Sequence, residues 1–373
     1  MPYHVTTFPF SLHRISLTRH KGYPLVVIVA LLLFSLGAGA APTYAVPSHA
    51  VIFMYHRFGE ERYPSTNIRI DQFEAHLHHL EEEGYRVWSL ERIVTYLREG
   101  KPIPDRTVAI TIDDAYRSVY TNAYPRLRAR GWPFTVFVAT DPIDRRFTSM
   151  MTWKQMREMA KHGVSFANHT TTHDHLLLRK PDESNDTWLE RVKGDILKAE
   201  KRLEAKLGTA PKLFAYPFGE YDRQLADLVE EMGYVGFGQQ SGAAGPYSDL
   251  RALPRYPMAE AYSDIDQFSM KAASLALPVT RAEPWDPLIV GRKRPKLEVT
   301  LAESDAILDQ LTCYVSGQGR VGVVWTDQGE RRFTIQAAEP LPRGRSRYNC
   351  TAPSKKSKRY YWYSHPWLIL DGS

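Results

Sequence analysis

Two neighbouring carboxylates and a pair of histidines are the residues of this sequence best suited to chemistry. Asp113 and Asp114 follow an apolar run that begins at Thr107, and His169 and His173 lie four residues apart in the segment Asn-His-Thr-Thr-Thr-His. Side chains alternate along a strand, so adjacent carboxylates at its end diverge, and one can bind a metal while the other accepts a proton. Two neutral imidazoles can converge on the same ion. The pattern indicates a metal-dependent hydrolase.

A parallel sheet covered by helices is the structure expected to position these residues, because strand-like and helix-like segments alternate with short connections. The first predicted strand is the continuous apolar run 50–55, and a helix follows with Asp71 as N-cap, an apolar face and Gly84 at its end. Further strands are predicted at 85–88, 108–112, 134–139, 164–167, 213–216 and 234–237, and further helices around 90–98, 117–130, 153–162, 186–206 and 222–232. The candidate residues follow predicted strands, at the carboxyl ends where barrel enzymes build their active sites.

These motifs resemble those of the polysaccharide deacetylases of carbohydrate esterase family four, the NodB-homology group. The family motif Thr-Phe-Asp-Asp-Gly is matched by Thr111-Ile-Asp-Asp-Ala115, and His-Ser/Thr-x-x-His is matched by His169-Thr-Thr-Thr-His173. The resemblance extends over residues 50 to 260 and implies an α/β fold, a distorted and incomplete (β/α)7 barrel. It also implies that Asp113 is the general base and that Asp114, His169 and His173 bind a divalent metal, zinc in the first place or else cobalt, nickel or ferrous iron.

The chain departs from the family at the arginine that pairs with the base. The family motif Arg-x-Pro-Tyr/Phe corresponds to Ala215-Tyr-Pro-Phe-Gly219, in which Ala215 replaces the arginine. The resemblance assigns a backbone N–H of the oxyanion hole to Phe218. Exported exopolysaccharide deacetylases of the biofilm poly-N-acetylglucosamine type share the Tyr-Pro-Phe-Gly segment and a later Pro-Arg, which makes Arg255 the expected partner of Asp113. The alternative is that Arg255 forms an ordinary surface ion pair.

A second departure concerns the general acid. The family has a histidine in a Leu-x-His motif near the end of the domain, but no such motif lies between His175 and His365, whereas His56 ends the first predicted strand. Some biofilm-polymer deacetylases are circularly permuted so that this histidine comes first, and a barrel tolerates the change because its first and last strands are neighbours. We therefore predict a permuted barrel in which His56 protonates the leaving amine. The alternative for His56 is a packing or capping role.

Other histidines have simpler interpretations. His175 is an alternative second metal ligand beside His169, although His173 fits the family motif better. Three histidines of the first predicted helix are expected to face solvent: His76, His78 and His79.

Residues 1–45 have the features of an export signal. Basic residues precede the apolar stretch 25–36, and small residues at 38–40 and 43–45 offer cleavage sites. The stretch is short for a membrane-spanning helix, which favours a cleaved secretory signal. An uncleaved amino-terminal anchor is the alternative. Part of the formal net charge of +6 lies in this leader and part in the tail 355–359, so the charge does not indicate a nucleic-acid partner.

The pattern changes near residue 280. We predict a catalytic domain at 46–278, a proline-containing linker at 279–296 and a small β-sandwich at 297–373, with strands at 297–301, 321–325 and 332–336. Cys313 and Cys350 lie on separate predicted strands of an exported chain, which favours a disulfide worth about 3–4 kcal/mol over a redox pair. The aromatic residues at 360–363 and Trp367 could stack on sugar rings, but a role in the core or in docking is favoured.

The sequence therefore predicts an exported, metal-dependent enzyme of the periplasm or cell envelope that removes N-acetyl groups from a polysaccharide containing N-acetylhexosamine. Membrane contact is expected only if the leader is retained. Two alternatives stay open at this point. One is a polysaccharide-binding protein that keeps the fold without catalysis, and the other is a hydrolase of an O-acetyl ester or of a different amide bond.

Overall fold

Residues 48–291 and 293–371 are described in the computed structural model of the chain. Eight strands form the main sheet, and every pairing in it is parallel. These strands are Ala50–Tyr55, Arg86–Val87, Thr107–Ile112, Thr135–Val138, Ser165–Asn168, Leu213–Ala215, Val235–Phe237 and Tyr256–Pro257. Each strand predicted between residues 50 and 237 overlaps one of them, so the predicted α/β class is confirmed.

The sheet is curled. Its order in space runs from Tyr256–Pro257 through Ala50–Tyr55 and Thr107–Ile112 and then along the chain to Val235–Phe237, with Arg86–Val87 paired off this path. Backbone hydrogen bonds join the far edge to the segment that precedes Tyr256, from Gly236 N to Leu250 O (2.9 Å) and from Leu253 N to Gly236 O (2.8 Å). The two edges are therefore connected through residues 250–257.

The register of the strands brings the candidate residues to one rim. Tyr55 pairs with Ile112, and Asp113 N donates to Tyr55 O at 2.9 Å, so His56 and Asp113 leave the sheet side by side. Asn168 pairs with Phe214 in the same way, which places His169 beside Ala215. The strands Ala50–Tyr55 and Thr107–Ile112 are buried throughout, as their uninterrupted apolar sequences predict.

Helices cover the sheet, and the six predicted helices are found with similar bounds, whereas Thr140–Asp144 and Ile265–Ala272 were not predicted. The α-helices are Ile70–Glu82, Leu90–Arg98, Tyr124–Ala129, Thr140–Asp144, Trp153–Ala160, Asn185–Leu207, Arg223–Glu231 and Ile265–Ala272. The helix predicted at 117–130 begins with the π-helical turn Val119–Ala123 before it continues as Tyr124–Ala129.

Two expectations about the first helix are wrong. Arg69, not Asp71, occupies the N-cap position, because Gln72 Oε1 accepts from Arg69 N at 3.3 Å and closes the first turn two residues earlier. His76 is fully buried and does not face solvent. Its ring stacks on Phe268 at 3.8 Å, its Nε2 donates to Ser263 O (2.8 Å) and its Nδ1 accepts from Tyr55 Oη (3.1 Å).

Burial lowers the pKa of His76 to about 4, so this histidine is neutral at physiological pH. The other two histidines of the helix differ from it. His78 is exposed, as expected, whereas His79 is half-buried.

Two further sheets follow the curled sheet. One contains the strands Leu275–Ala276, Leu288–Val290, Thr312–Val315, Gly319–Val321, Gly344–Pro353 and Tyr360–Leu370, and the other contains Val279–Glu283, Lys296–Leu301, Val324–Asp327 and Arg332–Gln336. Apolar residues of both sheets share one hydrophobic core, to which Val299, Phe333 and Trp367 belong. Cys313 and Cys350 are direct neighbours in the first of these sheets and form the predicted disulfide.

Two sequence expectations need correction in this region, and a third is confirmed. Residues 279–296, expected to form a linker, contain the strands Val279–Glu283 and Leu288–Val290, which pair with Lys296–Leu301 and Tyr360–Leu370. The strand predicted at 321–325 is interrupted, because Val321 ends a strand of one sheet and Val324 begins a strand of the other. The aromatic residues Tyr361 and Trp367 are buried in the shared core, which confirms the packing alternative for them.

The leader at 1–45 lies outside the described residues. Within residues 48–291 and 293–371, no helix is long and apolar enough to cross a membrane. The domain boundaries and the permutation stay predictions.

Candidate metal centre and active site

Asp114, His169 and His173 come together at the carboxyl rim of the curled sheet. One potential ligand atom from each of the three lies within 4.8 Å of the others, and it is the one such group of acidic, histidine or cysteine side chains in the described part of the chain. Asp114 Oδ1 is 3.5 Å from His169 Nε2 and 3.2 Å from His173 Nε2. Two imidazole nitrogens and a carboxylate oxygen suit zinc and similar divalent metals, and three protein ligands leave a position for water.

Neighbouring backbone groups fix the ligands in place. His169 Nδ1 donates to Ala215 O at 2.7 Å, which directs Nε2 toward Asp114. Asp114 (φ 70°) and His173 (φ 60°) both have left-handed backbone conformations, which are rare outside glycine and occur at functional sites that surrounding structure holds in place. Thr170 Oγ1 accepts from His173 N at 2.9 Å and helps to hold that turn.

The electrostatics of the cluster favour a bound cation. Burial alone would raise the pKa of Asp114, but the hydrogen bond from His169 and the charges of His56, His169 and His173 hold that pKa well below its ordinary value. Burial, together with repulsion from His169, lowers the pKa of His173 to about 4. His173 is thus a neutral imidazole with a free lone pair at neutral pH, and Asp114 is an anion, as metal ligands must be.

Asp113 and Arg255 form a fully buried ion pair beside the cluster. Arg255 Nη1 donates to Asp113 Oδ1 at 2.7 Å and Nη2 to Asp113 Oδ2 at 2.8 Å, and both side chains are 0% exposed. Arg255 is itself held by Gly238 O (2.9 Å) and Thr111 Oγ1 (3.2 Å). Burial would raise the pKa of Asp113, but the charge and hydrogen bonds of Arg255 bring it below its ordinary value.

The sequence predicts that Arg255 replaces the arginine missing at Ala215 as the partner of Asp113. The structure shows this pairing. The alternative of a surface ion pair is wrong, because the guanidinium is completely buried. Ala215 instead contributes its carbonyl oxygen to the orientation of His169.

His56 lies at the same rim. It follows the strand Ala50–Tyr55 directly, is half-buried, and its positive charge when protonated lowers the pKa of Asp113 and of Asp114. The next residue, Arg57, is stacked between the rings of Tyr63 (3.9 Å) and Tyr116 (3.4 Å). This stack connects the segment that carries His56 to the turn that carries Asp113 and Asp114.

The segment Pro217–Gly219 closes the other side of the site as a single 3-10 turn. Phe218 has φ 58°, and its ring contacts His173 edge-on at 4.6 Å and stacks on His175 at 3.9 Å. His175 Nδ1 lies 2.7 Å from Glu220 Oε2. His175 consequently contacts this turn and is not a member of the three-residue cluster.

Sequence reasoning missed several residues that contribute to the site. Tyr116 stands two positions after Asp114 and could have been noticed as part of the motif's turn. Glu220 and Arg57 gave no signal, because His175 lies 45 residues from Glu220 and Tyr116 lies 59 residues from Arg57 along the chain.

The comparisons with known proteins agree with this geometry. Residues 100–237 match the family model described as polysaccharide deacetylase. Over these residues the chain is therefore similar to the polysaccharide deacetylases, a class of hydrolases.

Among its relatives are two proteins named poly-beta-1,6-N-acetyl-D-glucosamine N-deacetylase. The one from Staphylococcus aureus is 28% identical over 210 residues, which cover 54% of this chain and 71% of the relative. The one from Escherichia coli is 28% identical over 212 residues, which cover 47% of this chain but 31% of the relative, so the chain spans less than a third of that protein. The solved structure of IcaB from Ammonifex degensii is similar in fold, with a TM-score of 0.53, 24% identity, and coverage of 60% of this chain and 97% of that one.

Proposed function

We propose that the protein is a metal-dependent hydrolase that removes N-acetyl groups from a polysaccharide containing N-acetylhexosamine. The observation that carries the proposal is the buried Asp113–Arg255 pair beside the cluster of Asp114, His169 and His173. An ionised base next to a three-ligand metal site is the arrangement that metal-assisted amide hydrolysis needs. The relatives named as poly-N-acetylglucosamine deacetylases support the choice of substrate.

Asp114, His169 and His173 would hold the metal. Their donor set fits zinc, and also cobalt, nickel or ferrous iron, because imidazole nitrogen and carboxylate oxygen are ligands for all of them. A divalent ion bound there supplies Lewis acidity, which polarises the acetamide carbonyl and lowers the pKa of water.

Asp113 is the proposed general base. Its carboxylate accepts two hydrogen bonds from Arg255 and still has a free lone pair on each oxygen, so it can take a proton from water as the water attacks the carbonyl carbon. Arg255 keeps the carboxylate ionised and fixes its orientation. Arg255 is thus a positioning residue for Asp113.

The two remaining roles fall on opposite sides of the site. The backbone N–H of Phe218 would donate to the developing oxyanion, since a preorganised donor at that position stabilises the transition state. His56 would donate a proton to the nitrogen as the carbon–nitrogen bond breaks, giving acetate and a free amine.

The proposed circular permutation accounts for the position of His56. The strand Ala50–Tyr55, which His56 follows, lies between Thr107–Ile112 and the last strand of the sheet, Tyr256–Pro257. A histidine from the end of the chain or from its start would therefore reach the same rim. We also propose that residues 297–373 form a β-sandwich domain and that the leader directs export to the periplasm or cell envelope.

The experiment that tests the function compares the two kinds of acetyl group on two separate oligomer substrates. The protein, loaded with zinc, is incubated with N-acetylglucosamine oligomers and with O-acetylated oligomers that lack N-acetyl groups, and acetate is quantified. The proposal predicts release from the N-acetyl substrate by the wild-type protein and not by Asp113→Asn. Release from the O-acetyl substrate alone would assign a different bond, and no release from either would favour a binding protein.

A further inference from the structure

An arginine of the carboxy-terminal sheets reaches the turn that carries the proposed oxyanion-hole donor. Arg345 lies on the strand Gly344–Pro353, and its Nη1 donates to Phe218 O at 2.6 Å and to Gln239 Oε1 at 3.1 Å. The contact with Phe218 joins residues 127 positions apart in the chain. Arg345 forms no salt bridge among the described residues, so these are the polar contacts of its guanidinium.

The turn that receives this hydrogen bond is tight and strained. Phe218 has φ 58°, a conformation that costs free energy for a bulky residue and persists where neighbouring groups enforce it. Gly219, which follows with φ 70°, approaches Gln239 so closely that an added Cβ would lie 2.6 Å from the Gln239 Cβ. Gln239 and Arg345 therefore pack directly against the turn.

Phe218 is held on two sides by different kinds of contact. Its ring stacks on His175 and meets the edge of His173 on the side of the metal cluster. Its carbonyl oxygen accepts from Arg345 on the side of the carboxy-terminal sheets. The ring contacts fix the side chain, whereas the hydrogen bond fixes the peptide plane that follows Phe218.

We propose that Arg345 is a positioning residue for the oxyanion hole, through which the carboxy-terminal sheets maintain the active conformation of Pro217–Gly219. The inference rests on the proposed function, since it assumes that the Phe218 N–H serves the reaction. A carbonyl held at 2.6 Å by a charged donor resists rotation of the adjoining peptide groups, and the φ and ψ angles of Phe218 are all that separate this carbonyl from the Phe218 N–H. Without Arg345, the turn can relax from its strained conformation.

Arg347 provides a matched control. It has the same side chain and lies two residues further along the same strand, so it projects from the same face of the sheet. Its Nη1 lies 3.5 Å from Ser241 Oγ, and among the described residues it forms no hydrogen bond with the turn 217–219. Loss of a cation or of an interface contact in general would affect both arginines, whereas loss of positioning would affect Arg345 alone.

The experiment compares Arg345→Met, Arg345→Lys and Arg347→Met with the wild-type chain. Methionine keeps the aliphatic stem and removes the donors, and lysine restores a charged donor. We expect Arg345→Met to lower kcat on an N-acetylglucosamine oligomer about tenfold with little change in KM and in metal content, as for the loss of one charge-assisted hydrogen bond. Arg345→Lys should recover part of kcat, and Arg347→Met should keep it.

A second readout does not depend on activity. Amide hydrogen exchange of the segment 216–222 should be faster in Arg345→Met than in wild type and unchanged in Arg347→Met. Unchanged exchange in Arg345→Met, or equal losses of kcat in the two methionine variants, would overturn the inference. An inactive wild-type chain would refute the proposed function, while the exchange result would still show whether Arg345 holds the turn.

Discussion

Replacing Arg255 by methionine should destabilise the fold in a way that depends on pH. The substitution keeps an aliphatic side chain of similar length and removes the two hydrogen bonds of 2.7 and 2.8 Å that Asp113 receives. Asp113 would then be a carboxylate with no exposed surface and without its paired guanidinium. Breaking a buried ion pair by removing one partner costs about 3–5 kcal/mol, because the other charge is left unpaired.

The sign of the pH dependence follows from Asp113. In the wild-type protein its pKa lies below the ordinary value of 3.8, so the pair adds to stability above about pH 4, and this contribution is lost as the pH falls through the folded-state pKa. Without Arg255, burial raises the pKa of Asp113 above its ordinary value. The free energy of unfolding of the variant is therefore lowest relative to wild type at neutral pH, and the difference shrinks as Asp113 becomes protonated at lower pH.

Urea unfolding at pH 7 and at pH 5 measures the effect. The control is Arg202→Met, which removes a partly exposed pair with Asp144 and should cost about 1 kcal/mol or less. The double variant Arg255→Met with Asp113→Asn should recover much of the loss, because it leaves no buried charge. A loss no larger than that of Arg202→Met, or one that stays the same at both pH values, would refute the reasoning.

Three further predictions concern the site. His169→Ala should lose bound zinc and activity while remaining folded, with the exposed His78→Ala as control, and metal analysis that finds a full equivalent would remove His169 from the ligands. Asp113→Asn should bind metal normally and lose turnover by about 100-fold or more, whereas substantial residual kcat would assign the base to another residue. His56→Ala should also lower kcat about 100-fold with its metal content unchanged, and a wild-type rate would leave His56 a packing role.

The sequence was sufficient to predict those parts of the structure that a short-range pattern determines. The strand Thr107–Ile112 could be predicted because a buried parallel strand is a continuous apolar run, and the turn after it had to bring Asp113 and Asp114 to the carboxyl rim. The cluster of Asp114, His169 and His173 was predicted from spacing and family resemblance together. The position of Arg255 depended on the resemblance, since its partner is 142 residues away.

The features that escaped prediction depend on contacts between distant segments. The burial of His76 is due to Phe268, which belongs to the helix Ile265–Ala272 and stacks on the ring from 192 positions away. Likewise, Arg345 has no local sequence feature that separates it from the neighbouring arginines. The strands within 279–296 pair with partners that no local pattern identifies, so a proline-containing segment resembled a linker.

Paired quantification of the two reaction products tests the central claim most directly. The zinc-loaded protein is incubated with an oligomer of β-1,6-linked N-acetylglucosamine, and acetate and free amine are measured in the same sample. The account predicts that both appear in equal amounts and that Asp113→Asn, with its metal retained, produces neither. Absence of both products from wild-type protein that carries a full equivalent of metal would contradict it.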